Sequence, residues 1–448
     1  MARDPKFGPG RGKSAAPSRV SYSIRLAAFY GALFTIYGVH LPYFPVWLNA
    51  RGITAEEIAA ITAAPYFLRV FITPSVAVWA DRTEMHRTII NALAWMALVL
   101  ALLFAQMESF WTIFLFAVPF AIALSTSVPL TETIAVAGVR AHGLDYGRMR
   151  LWGSITFVVA GFAAGWLIDH TGSGAVIGCI LAGAVATVVC AWLLPERARI
   201  ARQGRDERKQ TELEASVSDD FATPIIPEAP SAQPEPPDGR TGQRNARRLV
   251  SNPLFFAFLV AAGAAQGAHG MFYTFGALQW QTQGISTSWV GVLWAIAIVG
   301  EVALFAYSGN VVRRWGPEKL LVVATFACVV RWVLMSLSPP LAALVPLQTL
   351  HTLTYGASHL GAMHFISRAV PESAQGTAQA LYATVASGLV MGAATLTSGW
   401  LYAKAGPLAY LAMAALALIG FVAALIIRAR WNGELLWNDD AASETRQR

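Results

Sequence analysis

The chain has 448 residues, 55% hydrophobic and only 13% charged, against roughly 25% charged residues in a soluble globular chain. A soluble fold is therefore excluded, and the length suits twelve bilayer crossings of about 20 to 25 residues with chain left over for loops and tails. The net charge of +7 is spread over loops and tails and forms no single patch, which argues against nucleic acid as a partner.

In chain order, residues 1–22 are basic and polar and lack an apolar core followed by a small-residue cleavage site, so they predict a disordered cytosolic tail and no signal peptide. Apolar stretches suited to spanning follow at about 24–48, 56–80, 88–106, 111–139, 149–169 and 174–194. Together they predict an N-terminal six-helix bundle over residues 23–194. Residues 195–250 are rich in Arg, Glu, Pro and Ser and include TPIIPEAPSAQPEPPDGR, a run without helical periodicity, which predicts a flexible cytosolic linker. Six further stretches, at about 253–280, 288–312, 318–338, 341–367, 375–402 and 407–428, predict a C-terminal bundle over 251–428, with a cytosolic tail over 429–448. Cys179, Cys190 and Cys328 all fall inside apolar stretches, so neither a disulfide framework nor a metal cluster is expected. With the N-terminus inside, only Arg51 and Lys404 among the loop cations lie outside, which places both termini and the linker in the cytosol of an inner-membrane protein.

The halves also look alike. AVWADRTEMHR (77–87) after the second span aligns without gaps with GNVVRRWGPEK (309–319) after the eighth, each a small residue, three others, then a charge and Arg. The fifth span carries Gly161 and Gly165 and the eleventh Gly388 and Gly392, both at the GxxxG spacing that lets helices approach closely. Six-helix repeats of parallel topology follow, an arrangement that places a transport site at the midplane. On these features, and on GVHLPYFPVWL (38–48), YGRMRLWGSI (146–155), YTFGALQWQTQGIS (273–286) and ALYATVASGLVMG (380–392), the chain resembles the major facilitator superfamily, within it the lactose permease and phenylpropionate permease branch. The superfamily's loop motif is matched by Asp81, Arg82 and Arg87, with Ala77 and Glu84 in place of two glycines. The resemblance implies an all-α membrane protein of twelve transmembrane helices in two pseudo-symmetric bundles, and a gating charge network at Asp81, Arg82 and Arg87. A solvated turn is the plainer reading of those three residues.

A charge at the bilayer centre costs about 2.5 to 3.5 kcal/mol even on the lenient insertion scale, so buried ionisable groups mark candidate sites. They are Arg69, Glu132, Arg150, His269, Glu301, Arg331, His351, His359 and His364. Glu132 and Arg150 lie on helices joined by one short turn and could meet. The resemblance gives this pair substrate contact, and gives Glu132 a part in proton coupling; a structural counterion and a positive-inside anchor are the alternative. Glu301, Arg331 and His351 match the permease's proton-coupling cluster by resemblance, except that its carboxylate three residues beyond the histidine is here Thr354. Glu301, drawn toward neutrality by burial and toward ionisation by Arg331, remains the proton candidate; a static Glu301–Arg331 bridge is the alternative. His351, Tyr355 and His359, at i, i+4 and i+8, are expected on one helix face. His351, Tyr355 and His269 are read as solute-binding candidates, whereas packing is favoured for His359 and His364. His351 and His359 are two turns apart, about 12 Å, too far to share a metal ion. Arg69, between Pro65 and Pro74, is given a structural or gating part below Arg150. Tyr37, Tyr43, Phe44, Phe67, Tyr273 and Trp280 are candidates for a pocket wall.

HExxH, Gly-x-Ser-x-Gly and Walker motifs are absent, and GPGRGKS (8–14) misses the phosphate-loop spacing by one residue. A non-enzymatic secondary transporter without cofactors is expected, a monomer in membrane lipid moving a small organic solute by alternating access with protons. Phenylpropanoid-like acids, oligosaccharides and nucleosides are the substrate classes in descending order. An uncoupled facilitator or exporter is the alternative; a receptor would need a sensory domain that the linker does not offer.

Overall fold

The computed structural model describes residues 19–195 and 239–437; the predicted tails over 1–18 and 438–448 and the linker over 196–238 lie outside them. In hydrocarbon each backbone N–H needs a partner within its own segment, and helices supply it. The first half has six: α1 (Arg19–Ala50), α2 (Ala55–Thr83), α3 (His86–Ala105), α4 (Phe110–His142), α5 (Tyr146–Thr171) and α6 (Ala175–Leu193). Their starts are written locally. Thr54 and Glu57 form a capping box at α2, and Ser109 and Asp145 cap α4 and α5.

The second half is more broken. It comprises α7 (Gly239–Ser251), α8 (Pro253–Gly267), α9 (Gly270–Thr282), α10 (Thr287–Ala306), α11 (Ser308–Trp315), α12 (Pro317–Ser336), α13 (Leu341–Thr349), α14 (Ser358–Ala369), α15 (Glu372–Tyr382), α16 (Met391–Ala405) and α17 (Tyr410–Arg430). A π-helical turn over Thr352–Ala357 leads into α14, and another over Ala383–Val390 joins α15 to α16. Ten helical stretches among the described residues are long and apolar enough to cross a bilayer. Two features separate that number from the expected twelve. Glu372–Arg430 is one stretch although the 3-10 turn Gly406–Ala409 divides it, and the first π turn interrupts the segment from Leu341 to Ala369.

The end of the predicted linker is helical: α7 covers 239–251, while α1 begins inside the predicted tail, at Arg19. Composition concealed α7 because only one face docks. Asn245 Nδ2 donates to the Ser373 carbonyl at 3.1 Å, and Leu249, one turn on, is fully buried.

The halves meet along two equivalent helix pairs, α5 with α10 and α2 with α16, and where α1 meets α9. The two glycine pairs sit in this interface. A Cβ at Gly291 of α10 would lie 2.8 Å from the Gly161 carbonyl oxygen, and one at Gly392 would lie 2.8 Å from the Phe67 ring. Close backbone approach is thus the role of Gly161 and Gly165, whereas Gly388 and Gly392 make room for the Val70 and Phe67 side chains. At the end remote from Arg19 and Arg430, Asp169 closes α5 onto α10. Its Oδ1 accepts from the Thr287 N–H at 2.8 Å and hydroxyl at 2.5 Å, and its Oδ2 from the Ser288 N–H at 2.8 Å and hydroxyl at 2.5 Å. A carboxylate at the N-terminus of a helix also meets the positive end of its dipole. The Tyr43 hydroxyl lies 2.9 Å from the Gly161 carbonyl and 3.0 Å from that of Thr287, so its proton is shared between the halves.

Candidate functional site

Two polar systems lie near the middle of the bundle. The first is a chain of hydrogen bonds inside the second half. Arg331 is fully buried, and it donates from Nη1 to His351 Nδ1 at 3.1 Å and to Thr354 Oγ1 at 3.0 Å, and from Nη2 to Gln348 Oε1 at 2.8 Å. The Phe272 and Trp332 rings flank its guanidinium at 4.9 and 4.7 Å. Thr354 Oγ1 lies 3.1 Å from His269 Nε2, and His269 Nδ1 lies 2.9 Å from the Ala265 carbonyl. The proton pattern follows by elimination. His269 must carry its hydrogen on Nδ1 to satisfy Ala265, so its Nε2 accepts from the Thr354 hydroxyl, which accepts from Arg331. His351 Nδ1 accepts from Arg331, which puts the hydrogen on Nε2, and Nε2 faces Glu301 Oε2 at 3.8 Å.

This arrangement corrects one alternative read from the sequence. Glu301 and Arg331 do not form an ion pair: His351 stands between them, and the two Nη atoms of the buried guanidinium are held by neutral acceptors between aromatic faces. His351 stacks on Tyr355 with ring centroids 5.3 Å apart, whereas His359 turns toward the Tyr382 hydroxyl at 3.4 Å. Thr354, at the position of the missing carboxylate, is the hub of the chain.

Glu132 and Arg150 are also not paired. The Tyr146 hydroxyl donates to Glu132 Oε1 at 3.3 Å, and the Arg150 guanidinium lies 4.1 Å from the Phe34 ring centroid. Helix rotation decides this, since α5 turns Arg150 toward α1. Asp81 Oδ1 lies 3.1 Å from His86 Nε2, and Arg87 donates to the Trp192 carbonyl at 2.6 Å, both contacts within the first half; Arg82 is exposed. Glu84 closes α2 in the left-handed conformation at φ 55°, the position where the loop motif has glycine.

The second polar system is a cavity of about 120 Å³ between α1, α2, α4 and α9. Tyr37, His40, Phe44, Tyr66, Arg69 and Tyr273 supply its chemistry. None of Glu132, Arg150, His269, Glu301, Arg331, His351 or Tyr355 lines it. Tyr273 connects the two systems, its ring centroid lying 5.6 Å from that of His269 and 6.5 Å from that of His351. Arg69 stacks 4.7 Å from the Tyr66 ring centroid and donates from Nη2 to the Ser387 carbonyl, in the π turn of the opposite half. Of the proposed aromatic wall, Tyr37, Phe44 and Tyr273 line the cavity; Tyr43 belongs to the clasp, Phe67 packs at Gly392, and Trp280 is in the core. Sequence reasoning missed His40, an ionisable residue in the first span, and it missed Asp169 at the end of the fifth.

A model of the MFS_1-like family matches residues 23–412. The chain belongs to that family, within the major facilitator superfamily. It is 31% identical over 403 residues to the probable 3-phenylpropionic acid transporter of Escherichia coli (strain K12), covering 88% of this chain and 94% of that protein. It is 25% identical over 377 residues to the maltose permease of Geobacillus stearothermophilus, covering 83% of this chain and 86% of the permease. The fold matches the crystal structure of the nucleoside transporter NupG with a TM-score of 0.69 at 15% identity, covering 92% of this chain and 99% of that one. It also matches a bacterial homologue of the human lysosomal transporter Spinster, in an inward-facing and unoccupied conformation, with a TM-score of 0.65 at 15% identity over 95% of this chain and 100% of that one. The resemblance read from the sequence therefore holds: the chain is a multi-pass membrane transporter of small solutes and not an enzyme.

Proposed function

We propose that the chain is a proton-coupled carrier of a small aromatic monocarboxylate, working by alternating access. The observation that carries this reading is the cavity at the junction of the halves, where one guanidinium, Arg69, faces aromatic walls. Arginine holds a carboxylate in bidentate fashion, and Tyr37, Phe44, Tyr66 and Tyr273 suit a ring. The volume, about 120 Å³, is on the order of the 150 Å³ cavities that take one benzene ring, and a disaccharide is larger. The name of the 31%-identical relative points the same way. On this reading Arg69, and not the expected Glu132–Arg150 pair, is the main anchor of the solute.

Protonation belongs at Glu301, the carboxylate 3.8 Å from His351 Nε2. An acid carried as an anion together with a proton crosses with no added net charge, which lowers the cost of reorientation through hydrocarbon. With the termini in the cytosol, the clasp at Asp169 and Tyr43 closes the outer side, and Asp81, Arg82 and Arg87 lie at the opposite, cytosolic side. The test is accumulation of labelled 3-phenylpropionate in proteoliposomes under an imposed pH gradient. Accumulation is expected in wild type, lost in Arg69→Gln, and replaced in Glu301→Gln by counterflow without accumulation. Undiminished accumulation in Glu301→Gln removes the proton assignment, and undiminished uptake in Arg69→Gln removes the anchor. The second reading, an uncoupled facilitator, is favoured by Thr354 where the permease branch has a carboxylate; counterflow in wild type with no proton movement would select it.

A further inference from the structure

We infer that the outward face of α7 binds anionic phospholipid headgroups and so pins the end of the linker to the cytosolic surface of the membrane. The inference is independent of the solute assignment. The helix GRTGQRNARRLVS contains no acidic residue and ends two residues before Pro253, where the seventh span begins. One face is committed to the protein. Asn245 Nδ2 donates to the Ser373 carbonyl at 3.1 Å, at the start of the eleventh span, and Leu249 shares a buried cluster with Phe255 of the seventh. The other face carries Arg244, Arg247 and Arg248, all exposed. With 3.6 residues to a turn, these three fall within about 100° of the helix circumference.

No carboxylate among the described residues lies within ion-pair distance of this row. The acidic residue of the segment after α17, Glu434, accepts instead from Asn432 Nδ2 at 2.8 Å. Arg248 stacks 4.5 Å from the Trp437 ring centroid, a contact with the ring face that leaves its N–H donors unspent. That tryptophan is held in place, because the Leu436 N–H donates to the Ala369 carbonyl at 2.7 Å and Trp431 packs on Phe365 with centroids 5.0 Å apart. Tryptophans at the end of a span belong to the membrane interface, so the arginine row is set at headgroup depth. Arg244 and Arg248 are one turn apart, about 5 to 6 Å between Cβ atoms, and two guanidiniums at that spacing take one phosphate between their paired donors. A basic helix directly cytosolic of a span also meets the negative surface potential of the leaflet. Docked there by its apolar face, α7 meets lipid phosphate at a higher local density than any soluble anion.

The experiment is native mass spectrometry of the purified full chain, offered phosphatidylglycerol and phosphatidylcholine in equal amounts, with the retained lipids counted. Wild type is expected to keep phosphatidylglycerol over phosphatidylcholine by about fivefold or more, the worth of one arginine at a charged surface. Replacing Arg244, Arg247 and Arg248 together by Gln is expected to level that ratio, whereas replacing all three by Lys, which keeps the charge, is expected to retain most of it. Arg140→Gln with Arg148→Gln, which removes two exposed arginines at the cytosolic end of the first half, is expected to leave the ratio unchanged. No preference in wild type overturns the inference, and so does a ratio that survives the triple Gln variant or falls equally in the Arg140 and Arg148 variant. Should the triple variant fail to fold, a drop of roughly fivefold in Arg244→Gln or Arg247→Gln alone supports the inference, and no drop in either overturns it. A preference that is absent in wild type and appears on truncation after Trp437 would give the face to Asp439, Asp440 and Glu444 of the tail, which also overturns the inference.

Discussion

With the orientation proposed above, Asp169→Ala is expected to release the outer closure between α5 and α10. The carboxylate accepts four hydrogen bonds, at 2.8 and 2.5 Å on each oxygen, from two consecutive residues of the opposite half. In a dry site a hydrogen bond to a charged acceptor contributes about 1.5 to 3 kcal/mol. Asp169 is exposed, so water replaces most of each bond when the clasp parts, and about 2 kcal/mol is a reasonable figure for the whole set. At 1.36 kcal/mol per factor of ten, this shifts the equilibrium between outer-closed and outer-open forms by roughly 30-fold. Spin labels at Thr171 and Thr282, on the exposed ends of α5 and α9, would report it by pulsed dipolar spectroscopy as a new population at longer distance. Asp169→Asn, which keeps one acceptor oxygen, should fall between the two. A distance distribution in Asp169→Ala that superimposes on wild type would refute the reasoning, because the four bonds would then contribute nothing to closure.

Three further outcomes follow from the packing. Thr354→Val removes the hydroxyl that joins Arg331 to His269 and strands two buried groups, so thermal unfolding in detergent should show a loss of about 2 to 3 kcal/mol; a change under 0.5 kcal/mol would mean that the chain of bonds is incidental. Gly291→Ala places a methyl 2.8 Å from the Gly161 carbonyl oxygen and the Phe162 Cα; it should cost about 1 to 3 kcal/mol of outer-closed stability and lengthen the same spin-label distance. Glu84→Gly relieves a left-handed residue at φ 55° and should raise stability by up to about 1 kcal/mol with transport unchanged, measured by thermal shift; a lower melting point would show that the Glu84 side chain outweighs its backbone strain.

The spans were legible because a bilayer imposes length and apolarity on each, and the glycine pairs were legible because a missing side chain at four-residue spacing is meaningful in any helix. Pairings between charged residues were not. Glu132 and Arg150 are close along the chain, yet their partners depend on how α5 is rotated against α1, and hydropathy carries no record of that angle. Arg69 was ranked below Arg150 because its importance lies in what faces it, the cavity and the Ser387 carbonyl, and the π turn that presents this carbonyl has no sequence signature. His40 sits in an aromatic-rich run and reads there as packing; only a solved neighbourhood places it on the cavity wall. Asp169 looks like an ordinary polar residue at a span end until Thr287 and Ser288 are seen opposite. The helix over 239–251 escaped notice because two docked residues, Asn245 and Leu249, are too few to mark an apolar stripe.

The glycine tracks have a mechanical meaning as well. Where Gly161 meets Gly291 the surfaces are bare main chain, with no rotamers to unlock and no interdigitated side chains at that point. On the proposed alternating-access reading, little has to be unlocked at this contact itself, and what a change of closure must break is the set of directional bonds at its rim, those to Asp169 foremost.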